Sequence, residues 1–225
     1  MALRAMNAVT PPPGCSEVTL GGALDLRAFL GIPHAAKGIV IFAHGSGSGR
    51  LSPRNNYVAQ RLREAGLATL LLDLLNPVEE RDRRNVFDIA LLASRLRMAV
   101  DWTATSEATA ALRPAYFGAS TGGGAAIRAA AGDDRIAAIV SRGGRPDLAG
   151  AAALATVEAP TLLIVGSLDG LVIDLNRDAA EAMHCEKRMA IVPGAGHLFE
   201  EPGTLDEVVR LAIGWFLDHL EGEQA

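Results

Sequence analysis

The chain has 225 residues, 49% of them hydrophobic and 21% charged, with a formal net charge of −5. That size and apolar content suit a single domain that buries roughly 70% of its unfolded surface. The acidic balance, without a lysine- or arginine-rich block, argues against a nucleic-acid partner, and no apolar run approaches the ~18 residues of a membrane span.

Residues 1–16 read as a flexible lead-in and 17–222 as one domain. Met1 to Gly14 carries no apolar signal-peptide core, and Pro11-Pro12-Pro13 would break one, so the expected location is the cytoplasm. Cys15 and Cys185 stand far apart in a chain with a large apolar core and are expected to be reduced.

Val18 to Leu20 and Ala23 to Leu30 flank Gly21-Gly22, which predicts a β-hairpin. Lys37 to Ala43 is a continuous β-branched, apolar run, the mark of a strand buried on both faces. A Gly/Ser loop from His44 to Ser52 follows. Ser52 and Pro53 predict a helix cap and first turn, with Gly66 as its stop. Leu67 to Leu72 is the next strand. Residues 74–87 form a charged connection, and Asp88 is expected to cap a long helix through Trp102. Beyond it, strands are predicted at Ala115 to Gly118, Ile136 to Val140, Thr161 to Val165 and Arg188 to Val192. Helices are predicted at Thr121 to Ala131, Leu148 to Thr156, Leu175 to His184 and Leu205 to Leu220. Strands alternating with helices from Lys37 onward give an α/β fold: a single, mainly parallel sheet flanked by helices. Ligands of such sheets sit beyond the carboxyl ends of the strands, so the search for chemistry narrows to the residues that follow each strand.

Gly118-Ala119-Ser120-Thr121-Gly122 is G-x-S-x-G between a predicted strand and helix. A serine on so sharp a turn needs small residues two before and two after it, and the helix N-terminus points free N–H groups at its oxygen. Ser120 is therefore the candidate nucleophile. It needs a base. Of five histidines, His197 follows the last strand in the small-residue loop Pro193-Gly194-Ala195-Gly196 and can reach across the sheet. Asp169, after the strand Thr161 to Val165, is the candidate orienting acid; Asp174 is the rival but reads as the N-cap of a helix starting near Leu175. The order Ser120, Asp169, His197 is that of an α/β-hydrolase.

The oxyanion of a tetrahedral intermediate needs preorganised donors. One is the backbone N–H of Thr121. The other belongs to the loop after the first buried strand, where Ser46 is the candidate and Gly45 stands close behind. His44 is expected to support this loop rather than act as a base. The same loop, with Asp73 downstream, has the outline of a dinucleotide-binding unit, but Arg50 occupies its third glycine position and no Gly-Lys-Ser/Thr triplet is present.

With these residues in place the chain resembles, from about Glu17 to Leu220, the dienelactone hydrolase family of the α/β-hydrolases. Phe42-Ala43-His44-Gly45-Ser46-Gly47-Ser48, Phe117-Gly118-Ala119-Ser120-Thr121-Gly122, Gly166-Ser167-Leu168-Asp169 and Gly194-Ala195-Gly196-His197 carry the resemblance. It implies an eight-stranded sheet, no separate cap domain, and hydrolysis of carboxylic esters or lactones. The enzyme that names the family uses a cysteine nucleophile; Ser120 stands there in this chain, so a serine esterase acting on simpler acyl esters is the expectation.

The connection from Ser141 to Ala159 is too short for a large lid, which favours small, soluble esters. Arg142 and Arg145 follow a strand, and Arg50 and Arg54 flank the oxyanion loop; these arginines are candidates to meet an anionic substrate group or, alternatively, to pair with surface acids. The histidines and cysteines lack metal-ligand spacing, and acyl transfer to water calls for no cofactor. A small-molecule ester or lactone is the expected partner, with a homodimer left open. Acyl transfer on the same triad and a non-catalytic binding protein are the competing readings.

Overall fold

The computed structural model describes residues 9–220. The lead-in reading for residues 1–8, and residues 221–222 of the expected domain, lie outside them. Eight strands form one sheet: β1 (Cys15–Leu20), β2 (Leu26–Gly31), β3 (Ile39–Ala43), β4 (Ala68–Leu72), β5 (Pro114–Ala119), β6 (Ile139–Arg142), β7 (Thr161–Gly166) and β8 (Lys187–Val192). Their order is β1-β2-β4-β3-β5-β6-β7-β8. The first two are antiparallel to their neighbours and every later pairing is parallel. The helices are α1 (Pro53–Glu64), α2 (Arg83–Val86), α3 (Ile89–Thr105), α4 (Thr121–Ala130), α5 (Ala151–Thr156), α6 (Gly170–Ala182) and α7 (Thr204–Leu220). This is an α/β-hydrolase fold, and the connection from β6 to β7 holds only a 3-10 turn and the short α5.

The sheet sorts its side chains by the two-residue period of a strand. Ile39 and Ile41 of β3 face one way, against Leu92, Leu96 and Val100 of α3 and Ala125 and Ala126 of α4. Val40 and Phe42 face the other way, against Val58 and Leu62 of α1 and Val208 and Phe216 of α7. Two cores on one sheet explain why β3 reads as a continuous apolar run. Each fully buried Leu, Ile or Phe in them contributes about 1.5–3 kcal/mol of transfer free energy.

The predicted caps form. Ser52 Oγ accepts from Asn55 N at 3.4 Å with Pro53 behind it, Asp88 Oδ1 accepts from Leu91 N at 2.9 Å, and Gly66 stops α1 at φ +88°. Several boundaries differ. The hairpin closes through a 3-10 turn, Gly22–Leu24, so β2 starts at Leu26 rather than Ala23. The charged connection 74–87 contains the small helix α2. β6 runs Ile139–Arg142 because its pairing begins opposite Tyr116 and Thr161, leaving 136–138 outside the ladder. The helix expected over 148–156 breaks at Gly150 into a 3-10 turn and α5. α6 starts at Gly170, five residues before the expected start, so Asp174 lies inside the helix, where it pairs with Arg177 at 3.2 Å, and is not its cap.

Candidate active site

All the parallel strands end on one edge, and the candidate residues gather there. β5 ends at Ala119 and α4 begins at Thr121, so Ser120 alone makes the turn. It sits at φ +51° and ψ −123°, a left-handed conformation that L residues rarely hold. Three backbone hydrogen bonds pin it: Ser120 N donates to Arg142 O at 3.3 Å, and Ser120 O accepts from Gly123 N and Arg145 N, both at 3.0 Å. A side chain at Gly122 would collide with the Ala43 carbonyl, which is the physical reason for the second glycine of the pattern.

His197 comes back over the sheet from the end of β8. A methyl built on Gly143, at the end of β6, would lie 3.6 Å from His197 Nδ1. The imidazole thus stands beside the strand next to that of Ser120. His197 Nδ1 lies 2.6 Å from Asp169 Oδ2. An ionised carboxylate only accepts, so Nδ1 carries the proton and Nε2 is left with a free lone pair. Asp169 occupies the N-cap position of α6 yet makes no cap bond with its side chain, which is committed to the histidine instead. Ser120 Oγ makes no hydrogen bond to the imidazole among the described residues; such contacts are often long before substrate binds. The loop that carries His197 has its own supports. Glu201 Oε1 accepts from Gly196 N at 3.1 Å, and Phe199, buried, holds φ +55°. Neither support was predicted; an acid five residues beyond Gly196 is a weak sign when read along the chain.

The loop after β3 closes against the nucleophile. A methyl on Gly45 would lie 3.0 Å from Ser120 Cβ. The backbone N–H of Ser46 donates to Thr121 Oγ1 at 3.1 Å, so this candidate oxyanion donor already has a partner. His44 is buried and acts as a brace: its Nε2 accepts the Leu74 N–H at 3.0 Å and its Nδ1–H donates to Gly45 O at 3.0 Å. Burial outweighs the Gly45 hydrogen bond and nearby acids and keeps the imidazole below its usual pKa, in the neutral form these two bonds require.

The arginines divide. Arg50 is bound to Asp73 through both its backbone N–H (2.7 Å) and its guanidinium, and reaches Glu17 at 3.1 Å. Its guanidinium pairs with acids of the protein, the alternative reading of these arginines, and it also lines the groove beside this edge. Arg54 pairs with Glu200 at 2.6 Å and Arg145 with Asp147 at 2.7 Å. Arg142 is different. It is 7% exposed, no acid pairs with it among the described residues, and its Nε, like that of Arg50, is buried without a partner. Its guanidinium lies over the Phe199 ring at 5.8 Å and approaches Leu198 O at 3.5 Å. Burial, and next the charge of Arg54, pull its pKa down to about 10.

An open groove of about 960 Å³ runs beside this edge, between the oxyanion loop (Ser46, Ser48, Arg50), with Arg54 of α1, and the segment bearing Pro77, Arg83 and Phe87. On the opposite side Leu168, Leu171 and Leu198 stand exposed around the Asp169–His197 pair.

The sequence profile of the dienelactone hydrolase family matches residues 26–212. The chain belongs to the dienelactone hydrolase family. It is 54% identical to the dienelactone hydrolase of Anabaena variabilis, whose structure superposes with a TM-score of 0.88 over 92% of this chain and 99% of that one. Est1E of Butyrivibrio proteoclasticus shares the fold at 16% identity, with a TM-score of 0.76 over 92% of this chain and 99% of its own. Two Mycobacterium tuberculosis proteins, each named as a phosphoribosyl transferase, are 54% identical over 222 residues. That stretch is 97% of this chain but 50% of theirs, so the chain spans about half the length of these relatives. Among the described residues no helix is long and apolar enough to cross a membrane.

Proposed function

We propose that this member of a hydrolase family is a serine carboxylesterase or lactonase that cleaves small, soluble esters through an acyl-enzyme. His197 Nε2 takes the Ser120 Oγ proton as the oxygen attacks the ester carbonyl; Asp169 fixes the imidazole tautomer and stabilises the imidazolium. The N–H of Thr121, at the N-terminus of α4, meets the developing oxyanion. His197 then returns the proton to the leaving alcohol, and water, activated by the same histidine, releases the acid. The observation that carries this reading is the 2.6 Å Asp169–His197 bond, with the strained Ser120 on the same edge of the sheet.

Two features bear on the substrate. The exposed leucines around the Asp169–His197 pair suit an apolar group on one side of the ester. A buried guanidinium without a counter-charge is costly, and a substrate carboxylate would supply one, so Arg142 is proposed to meet an acidic group. Arg54, half-exposed and already held by Glu200, would have to exchange partners to assist.

A panel of p-nitrophenyl esters of increasing chain length, run beside Ser120→Ala, tests the proposal. Loss of the nucleophile should lower kcat by roughly a million-fold, as in other serine hydrolases. A variant that keeps its activity would remove Ser120 from the chemistry. Activity that climbs with acyl length at an oil–water interface would reject small, soluble esters.

The transferase name of the relatives belongs to chains twice as long. An acyl-enzyme could also pass its acyl group to an added alcohol or amine, and competition between such an acceptor and water distinguishes the two outcomes.

A further inference from the structure

The Ser46–Thr121 hydrogen bond is not part of the oxyanion hole as read from backbone donors, and it changes how that hole must work. The Ser46 N–H, which should face the oxyanion, is given to the Thr121 hydroxyl at 3.1 Å. Thr121 is 6% exposed, and its side chain joins the first residue of α4 to the loop after β3. Its oxygen accepts from Ser46, yet its own proton has no acceptor among the described residues. A buried hydroxyl that accepts without donating is half-satisfied. It sits on the residue whose backbone N–H is the expected oxyanion donor, beside the nucleophile.

We propose that the Thr121 hydroxyl is itself an oxyanion donor, with the Ser46 N–H acting through it. The chain of hydrogen bonds runs from Ser46 N–H to Thr121 Oγ1–H to the oxyanion. Accepting the Ser46 bond polarises the hydroxyl and strengthens it as a donor, and a hydroxyl donating to an anion makes a short, charge-assisted bond. Thr121 would then contribute two donors, its N–H and its O–H, while Ser46 holds the second in place. No bond is made or broken in this role: the hydroxyl keeps its proton, and the only proton transfer remains that between Ser120 and His197. The opposing arrangement is a plug, in which the hydroxyl merely covers the Ser46 N–H and must swing aside before an oxyanion can bind.

The inference rests on the serine-hydrolase reading, so that reading is tested first. A fluorophosphonate should label the wild-type protein at one site and fail on Ser120→Ala; absence of labelling and of esterase activity in the wild type would take down both proposals. With labelling established, Thr121→Ala and Thr121→Ser separate relay from plug. The relay predicts that Thr121→Ala lowers kcat by about 100-fold with KM moved less than threefold, the usual size of one lost oxyanion donor. Thr121→Ser keeps the hydroxyl and should recover to within about fivefold of wild type on the same scale. A trifluoromethyl ketone, which adds to the serine and forms an oxyanion, should weaken against Thr121→Ala by the same factor as kcat/KM, a coupling that a purely structural role of the threonine would not produce. The proposal is overturned if Thr121→Ala equals or exceeds the wild type, as a plug requires, or if Thr121→Ser falls as far as Thr121→Ala.

Discussion

Two arginines at the same edge of the sheet make opposite use of the same charge. Arg50 and Arg142 both lie over phenylalanine rings, Phe29 at 5.3 Å and Phe199 at 5.8 Å. Arg50 belongs to the loop after β3, where the polar groups close on one another: Arg50 on Asp73 and Glu17, His44 between Leu74 and Gly45, and Ser46 on Thr121. Arg142 belongs to the side formed by the ends of β6, β7 and β8. There no acid meets Arg142 among the described residues, and His197 Nε2 is left open while Nδ1 is held. One side is braced and the other is poised. Substitutions of Arg50 and His44 on the braced side, away from the Ser46–Thr121 bond, should therefore register first in stability, and those on the poised side in turnover and selectivity.

The largest test of that division is Asp169→Asn. The amide keeps the shape but favours the wrong imidazole tautomer, and kcat should fall by about 10⁴-fold. The melting temperature should stay within about 3 °C, since the lost stabilisation is on the order of 1 kcal/mol and a chain of this size shifts about 2–4 °C for each. A collapse of the fold would mean that the poised side is a brace as well.

Arg50→Ala should show the reverse. It leaves Asp73 without its cation and Glu17 with only the longer pair to Arg27, at 4.0 Å. Fully buried pairs lose 3–5 kcal/mol when broken, and this one is partly solvated, so about 2 kcal/mol is expected, or roughly 4–8 °C in melting temperature. The ratio of KM for acidic over neutral esters should not change. A change in that ratio without a loss of stability would return Arg50 to the substrate.

Arg142→Met comes next in size. Removing an unpaired buried cation and keeping its bulk should leave stability unchanged or slightly raised. KM for esters bearing a carboxylate should rise about tenfold, the loss of one charge-assisted contact worth ~1.5 kcal/mol, while neutral esters stay within twofold. If kcat falls equally for both ester types, Arg142 works by holding the His197 loop through Leu198 O and not by meeting the substrate.

The comparison also marks what could be read along the chain. The placement of Ser120, Asp169 and His197 at strand ends was legible because strand ends are fixed by short-range apolar patterns and glycine turns. The partners of the arginines were not. Asp73 is 23 residues from Arg50 and Glu17 is 33, and only the sheet order brings them together. The Thr121 side chain meets Ser46 across 75 residues, and nothing local to either residue announces it. The start of α6 was missed for another reason. Leu171 is an apolar residue left exposed in the first turn, so the helical period could be recognised only from about Leu175. What is local to a strand end was readable, and what depends on which strand ends are neighbours was not.

The smallest predicted effect again separates the two sides, now through pH. His44 on the braced side has a folded-state pKa below the ordinary value near 6.5 because it is buried. Between those two values the unfolded chain holds a proton that the folded chain does not. Stability therefore rises with pH across this window, is complete above about 6.5, and is lost as pH falls toward the folded pKa. Each pH unit crossed inside the window removes up to about 1.4 kcal/mol. Protonation would also turn Nε2 from acceptor to donor and break its bond with the Leu74 N–H, loosening the loop that carries Ser46. Urea midpoints measured from pH 8 down to pH 5 should fall below pH 6.5 in the wild type. His44→Gln, which cannot titrate, should be less stable at pH 8 but flatter over the same range. Parallel curves for the two proteins would show that the acid sensitivity arises elsewhere and that His44 does not lock the loop through its neutral form.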